Sequence, residues 1–195
     1  MAFIETVPED AAPDELRELY AADRERFGFV PNLTRAFSQR PRAYAAWVGL
    51  NRAIKAGMDE RRYELATLAA ARRLRSSYCC LAHGKLLADR FMEPDLVRAI
   101  AADHRRAGLD EVDVAVMDLA DRVADDATSV TRADVDRLRD LGLSDADVLD
   151  VVLAATARCF FSKTLDAVGA EPDSAYRDLD PALRDVLPVG RPIAE

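Results

Sequence analysis

Stretches that alternate apolar and polar residues, the mark of a half-buried strand, are hard to find in this chain. Its apolar residues instead recur three or four apart, as they do along one face of a helix. Leu16, Leu19, Tyr20 and Phe27 form one such stripe. Tyr44, Trp47, Val48, Asn51 and Ile54 form a second, and Val112, Val116, Ala120 and Val123 a third. The punctuation agrees. Pro13 and Pro41 suit first helical positions, where a missing N–H costs nothing, and Gly28, Gly57, Gly142 and Gly169 suit helix ends. Asp59 is a cap, and Thr131 and Ser144 each stand three residues before an aspartate (Asp134 and Asp147), approximating a capping box. The expected fold is an all-α multi-helix bundle of about eight helices.

A chain of 195 residues, half of them hydrophobic, suits a single all-helical domain over 1–195. Its parts are an N-terminal helical segment (1–56), two central helices (59–90), C-terminal helices (94–169) and an irregular tail (170–195). Residues 1–12 are expected to be extended, since Pro8 and Pro13 oppose an early helix. The cysteine-bearing helix is expected from Ser77 to about Arg90. A long apolar helix from Asp145 to about Val168 is expected at the core or at an interface. The tail, with Pro172, Pro181, Pro188 and Pro192, is expected to wrap the surface or a neighbouring subunit.

Net charge is −8, from 27 basic and 35 acidic residues. An acidic surface repels phosphate backbones and anionic lipid, so neither nucleic acid nor membrane is an expected partner. TRADVDRLRDLGLSDADVLDVVLAA has the outline of a helix-turn-helix, but its second helix would meet phosphates with Asp145, Asp147 and Asp150. Three cysteines, two of them adjacent, do not make a secreted disulfide framework. MAFIETVPEDAAP lacks the basic start and apolar core of a signal peptide. A cytoplasmic protein is expected. No phosphate-cradling glycine loop occurs, and Cys79, Cys80 and His83 make a poor zinc set, since adjacent cysteines on a helix diverge. No cofactor and no metal are expected.

The chemistry concentrates in ELATLAAARRLRSSYCCLAH, residues 64–83. Ser76 stands where a helix begins and is expected to cap it. Cys79 then lies in the first turn, where the helix dipole favours a thiolate, and His83 lies one turn along on the same face. A thiol at a helix start with an imidazole one turn away is an arrangement for an activated nucleophile. Glu64, from the preceding helix, is placed to orient that imidazole. A buried cysteine that only fills space is the competing reading.

Three segments, in order, carry a resemblance: GFVPNLTRAFSQRP ahead of a Trp-containing helix, the 64–83 stretch, and VLAATARCFFSKTLDAVGAEPD. Together they resemble the alkylhydroperoxidase-D-like, or carboxymuconolactone decarboxylase, superfamily, in its peroxidase-related branch. The resemblance implies a homo-oligomeric, thiol-dependent hydroperoxide reductase acting on a small hydroperoxide. It implies that Cys79 is the peroxide-attacking thiol, with His83 its base or relay and Glu64 the partner of His83. The family's resolving cysteine falls at Ser76, which cannot form a disulfide. A sulfenic acid on Cys79 would then need another thiol for its reduction. Cys80, Cys159 and an external thiol reductant are the candidates, the last giving a one-cysteine peroxidase or a weakened relative of one. Cys80 points about 100° away from Cys79 on a helix, which fits core packing better. Ser76 remains able to donate a hydrogen bond that helps hold the thiolate. Two alternatives stay open: a non-redox enzyme like the carboxymuconolactone decarboxylases, and a catalytically inactive scaffold of the family.

Overall fold

The computed structural model of the chain describes residues 2–195. Ten α-helices follow one another, and no strand occurs among the described residues: α1 (Asp14–Phe27), α2 (Asn32–Ala36), α3 (Pro41–Gly57), α4 (Glu60–Arg73), α5 (Ser77–Arg90), α6 (Pro94–Asp103), α7 (Glu111–Asp126), α8 (Arg132–Asp140), α9 (Asp145–Ala167) and α10 (Pro181–Arg184). The expected all-α bundle is therefore the observed one.

Helix α4 is the centre of the bundle, packing against α5, α7 and α9. Its residues 63–71 are all buried, alternating Leu65 and Leu68 with four alanines and Thr67. Small side chains let the neighbouring helices approach closely, while each fully buried leucine contributes about 1.5–3 kcal/mol relative to exposure. The Asp59 side chain caps α4 by accepting from the Arg62 amide at 2.9 Å. Asp113 of α7, fully buried, is held by Arg61 and Arg62 and ties α7 to the start of α4. The expected capping box at Ser144 forms: the Asp147 amide donates to Ser144 Oγ at 3.2 Å, and the Ser144 amide donates to the Asp147 carboxylate at 2.8 Å.

Four expectations are corrected. Residues 9–11 form a 3-10 turn within the stretch expected to be extended. Phe27 is 46% exposed rather than part of a buried stripe. The last turn of α1 runs past its apolar partners, so the ring meets the Arg26 guanidinium at 4.8 Å instead. Ser76 occupies the cap position of α5, but its hydroxyl makes no cap bond and is turned toward Asp166 of α9. The tail is not simply irregular. It forms a 3-10 segment over 174–178, then α10, and then lies across α5 of its own chain. Leu187 is fully buried over Gly84, and the Gly190 amide donates to Ser77 Oγ at 2.8 Å.

Candidate functional site

Four helices supply the side chains around Cys79. From α3 come Trp47, Asn51 and Lys55, spaced by four and so on one face. From α4 come Tyr63, Glu64 and Thr67, from α5 Cys79 and His83, and from α9 Arg158 and Phe161. The start of α5 is anchored by Tyr78, whose hydroxyl donates to Asp173 and accepts from the Leu33 amide at 3.2 Å. Asp173 in turn accepts from the Asn32 amide at 2.8 Å, capping α2, whose own cap position is Pro31. The tail thereby fixes the residue next to Cys79.

The structure brings Glu64 and His83 together. His83 Nδ1 lies 2.5 Å from Glu64 Oε2 and 3.3 Å from Thr67 Oγ1. The Thr67 hydroxyl already donates to the backbone carbonyls of Tyr63 and Glu64, at 2.8 and 3.0 Å, so it faces His83 as an acceptor. A carboxylate and an acceptor hydroxyl on one ring nitrogen require the proton to be there. Nε2 is left as the basic nitrogen.

Sequence reasoning did not find Lys55, which donates to Glu64 Oε1 at 2.7 Å. Its position one turn beyond Asn51 on the expected α3 face was the available signal. Glu64 is 1% exposed, and burial alone would raise its carboxyl; His83 and Lys55 outweigh burial and hold it at about 2. His83 falls below its ordinary value because burial disfavours its charged form, and the Arg158 charge adds to this against the attraction of Glu64. These shifts pull in opposite senses on one pair, since a charged His83 helps lower Glu64. An ionised Glu64, secured by Lys55, and a neutral His83 donating through Nδ1–H satisfy both directions.

Cys79 is 1% exposed. It lies one turn from His83, but its sulfur accepts its hydrogen bond from elsewhere, from Arg158 Nη1 at 3.5 Å. Arg158, also missed, is a buried arginine whose place on the long apolar α9 is its one trace in the sequence. Cys80 is fully buried, and burial together with the neighbouring Cys79 pushes its thiol well up, so it remains a protonated packing residue. Cys159 is half-buried on α9 with a raised thiol, chiefly through burial.

A cavity of about 870 Å³ lies between α2 and the tail, beside Asn32, Arg35 and Asp173, and does not include the Cys79 cluster. The site is assigned to the cluster because the thiol, the base and the buried charges converge there. Among the described residues, no group of three or more His, Cys, Asp and Glu gathers to hold a metal. Among the described residues, no helix is long and apolar enough to cross a membrane.

An uncharacterized peroxidase-related protein from Ralstonia eutropha JMP134, described as an alkylhydroperoxidase AhpD core, superimposes with a TM-score of 0.79 at 25% identity, over 87% of this chain and 92% of that one. The chain's fold is that of the alkylhydroperoxidase-D-like superfamily. An uncharacterized peroxidase-related protein from Silicibacter sp. TM1040 matches this chain equally well, with a TM-score of 0.79 at 21% identity over 89% of this chain and 95% of that one. The debrominase Bmp8, in complex with 2,3,4-tribromopyrrole, shares the fold with a TM-score of 0.76 at 14% identity, over 94% and 97% of the two chains. No family model and no curated protein matches the sequence. The fold is thus one shared by proteins described as peroxidase-related and by a debrominase.

Proposed function

We propose that this protein is a thiol-dependent hydroperoxide reductase of one-cysteine type. The observation that carries the reading is the buried Glu64–His83 pair one turn from Cys79, with Nε2 of His83 left basic. In the proposed reaction His83 takes the proton of Cys79, and the thiolate attacks the terminal oxygen of a hydroperoxide. The S–O bond forms as the O–O bond breaks, and the departing alkoxide takes the proton back from His83. Cys79 is left as a sulfenic acid. With Ser76 in the position of the resolving cysteine and Cys80 buried and protonated, two equivalents of an external thiol reduce it, giving a disulfide and water. Because Cys79 is covered, substrate enters through movement of part-exposed neighbours such as Trp47 and Lys55. Exposed Leu50, Leu149 and Phe160 on α3 and α9 support the proposed self-association, and a cytoplasmic setting would supply the reducing thiol.

The test is peroxide consumption with small thiols as reductant, in wild type and Cys79→Ser, with mass spectrometry for the sulfenic acid. Turnover that vanishes in Cys79→Ser supports the reading; no turnover and no Cys79 oxidation in wild type overturn it. Bmp8 makes 2,3,4-tribromopyrrole a second acceptor for the same assay, where release of bromide without peroxide use would replace the reading. One observation favours a non-redox lactone-acid chemistry: Arg158, the charge acting most strongly on His83, is a cation suited to a substrate carboxylate. That activity would survive in Cys79→Ser.

A further inference from the structure

Arg158 is a buried charge that a Glu64–His83–Cys79 relay does not use. Its side chain is 3% exposed, yet no carboxylate pairs with it among the described residues. The comparison within the molecule is Arg61 and Arg62, both part-exposed and both bound to Asp113. A buried guanidinium without an anion is costly, so such groups are paired or serve a ligand. The polar neighbours of Arg158 are Cys79 Sγ, 3.5 Å from Nη1, and the hydroxyl of Tyr63. The rest is aromatic: the guanidinium sits 5.9 Å from the Trp47 ring and 5.5 Å from Phe161, whose own ring stacks on Trp47 at 4.0 Å. Ring faces attract a cation but do not accept its N–H groups in the plane. Two donors in this corner are buried without a partner, Arg158 Nε and Trp47 Nε1. Unpaired donors beside a thiol are what an incoming oxygen would find.

We propose that Arg158 is a further catalytic residue, the counter-ion of the Cys79 thiolate and, through its unpaired N–H groups, the donor to the oxygen that departs when that thiolate attacks a hydroperoxide. The proposal rests on the hydroperoxide reading for its second half only. It gives His83 the task of moving the proton and Arg158 the task of holding charge. Before attack the negative charge is on sulfur, beside Nη1. As the O–O bond breaks, the charge moves to the leaving oxygen within the same buried corner, where fixed donors act most strongly. The proton on His83 then neutralises the alkoxide. Other groups facing Cys79 are Tyr176 from the tail and Cys80 on its own helix, both with raised values through burial, so neither adds an anion.

The experiment compares Arg158→Met, which keeps length and removes charge, with Arg158→Lys, which keeps charge and removes the fork. Two quantities are read in each: the rate of alkylation of Cys79 by iodoacetamide, and its rate of oxidation by hydrogen peroxide and cumene hydroperoxide. In Arg158→Met alkylation is expected to slow, and peroxide oxidation to slow about a hundredfold more than alkylation does. Arg158→Lys is expected to restore the alkylation rate but not the peroxide rate. A folded Arg158→Met that alkylates at the wild-type rate overturns the counter-ion assignment. If Arg158→Met loses its fold, Arg158→Lys with a wild-type peroxide rate overturns the donor assignment. If alkylation slows in Arg158→Met while wild type itself does not react with peroxide, the hydroperoxide reading fails and the counter-ion stands.

Discussion

His83 and Glu64 meet across the α4–α5 interface at 2.5 Å, and the second oxygen of that carboxylate is taken by Lys55 of α3 at 2.7 Å. Three helices thus converge on one carboxylate that is almost wholly out of water. The ordinary cost of burying a charge is offset by two donors, which leaves the Glu64 carboxylate placed to fix the orientation of the imidazole.

Acid should unfold this protein in two stages that both trace to the pair. A neutral His83 with a lowered value binds fewer protons folded than unfolded, so stability declines as pH falls below about 6.5, where the unfolded histidine charges. Glu64, depressed from 4.5 to about 2, contributes stability that is present above about 4.5 and lost as pH falls toward 2. The second contribution is on the order of 3 kcal/mol at most. Urea unfolding across this range checks both windows; Glu64→Gln should flatten the lower one, and an unchanged slope there would refute the assignment.

Lys55 should matter to turnover although it does not touch sulfur. Removing a residue that holds an orienting group typically costs about 10–100-fold in activity. Lys55→Met is expected at the lower end, because the nearby water can partly solvate Glu64 from the 30%-exposed lysine side, and Glu64→Gln at the upper end. Steady-state peroxide consumption at saturating thiol is the measurement. Equal rates in Lys55→Met and wild type would leave Lys55 a surface ion pair.

Gly190 should be intolerant of any side chain. A Cβ there would lie 2.1 Å from the Arg75 carbonyl oxygen, a backbone atom that cannot swing aside, and the hydrogen bond that the Gly190 amide donates to Ser77 Oγ would be lost with it. Gly190→Ala is expected to cost about 1–3 kcal/mol and to lift the tail off the start of α5. Limited proteolysis should then cut after α10 in the variant and spare the wild type.

Cys79 and Cys80 should differ in reactivity despite being adjacent. Cys80 is fully buried with its thiol pushed well up, whereas Cys79 faces a guanidinium. Iodoacetamide at neutral pH, followed by peptide mass spectrometry, is expected to label Cys79 in the folded protein and Cys80 only after denaturation. Early labelling of Cys80, or a Cys79–Cys80 disulfide under oxidant, would contradict this.

Local patterns made much of this molecule legible. Helix limits followed from Pro41, Asp59, Ser144 and Gly28, because capping and φ preferences act within a few residues, and the apolar stripes declared an all-α bundle. The stretch from Glu64 to His83 placed a thiol and an imidazole on one face, since both lie on α5 and their spacing needs no tertiary information. What local patterns could not reach were groups joined only by packing. Lys55 and Arg158 sit 24 and 79 residues from Cys79 in the chain, and the faint signals each carries, a place on the α3 face and a charge on the apolar α9, do not say which group it meets. Ser76 was misjudged for the same reason, its hydroxyl turning to α9 instead of its own helix. The sequence by itself determined the helices and the placing of a thiol one turn from an imidazole on α5. Only the tertiary structure decided which cation faces that thiol, because a buried charge finds its partner through the packing of α9 against α4 and α5, and no periodicity records it.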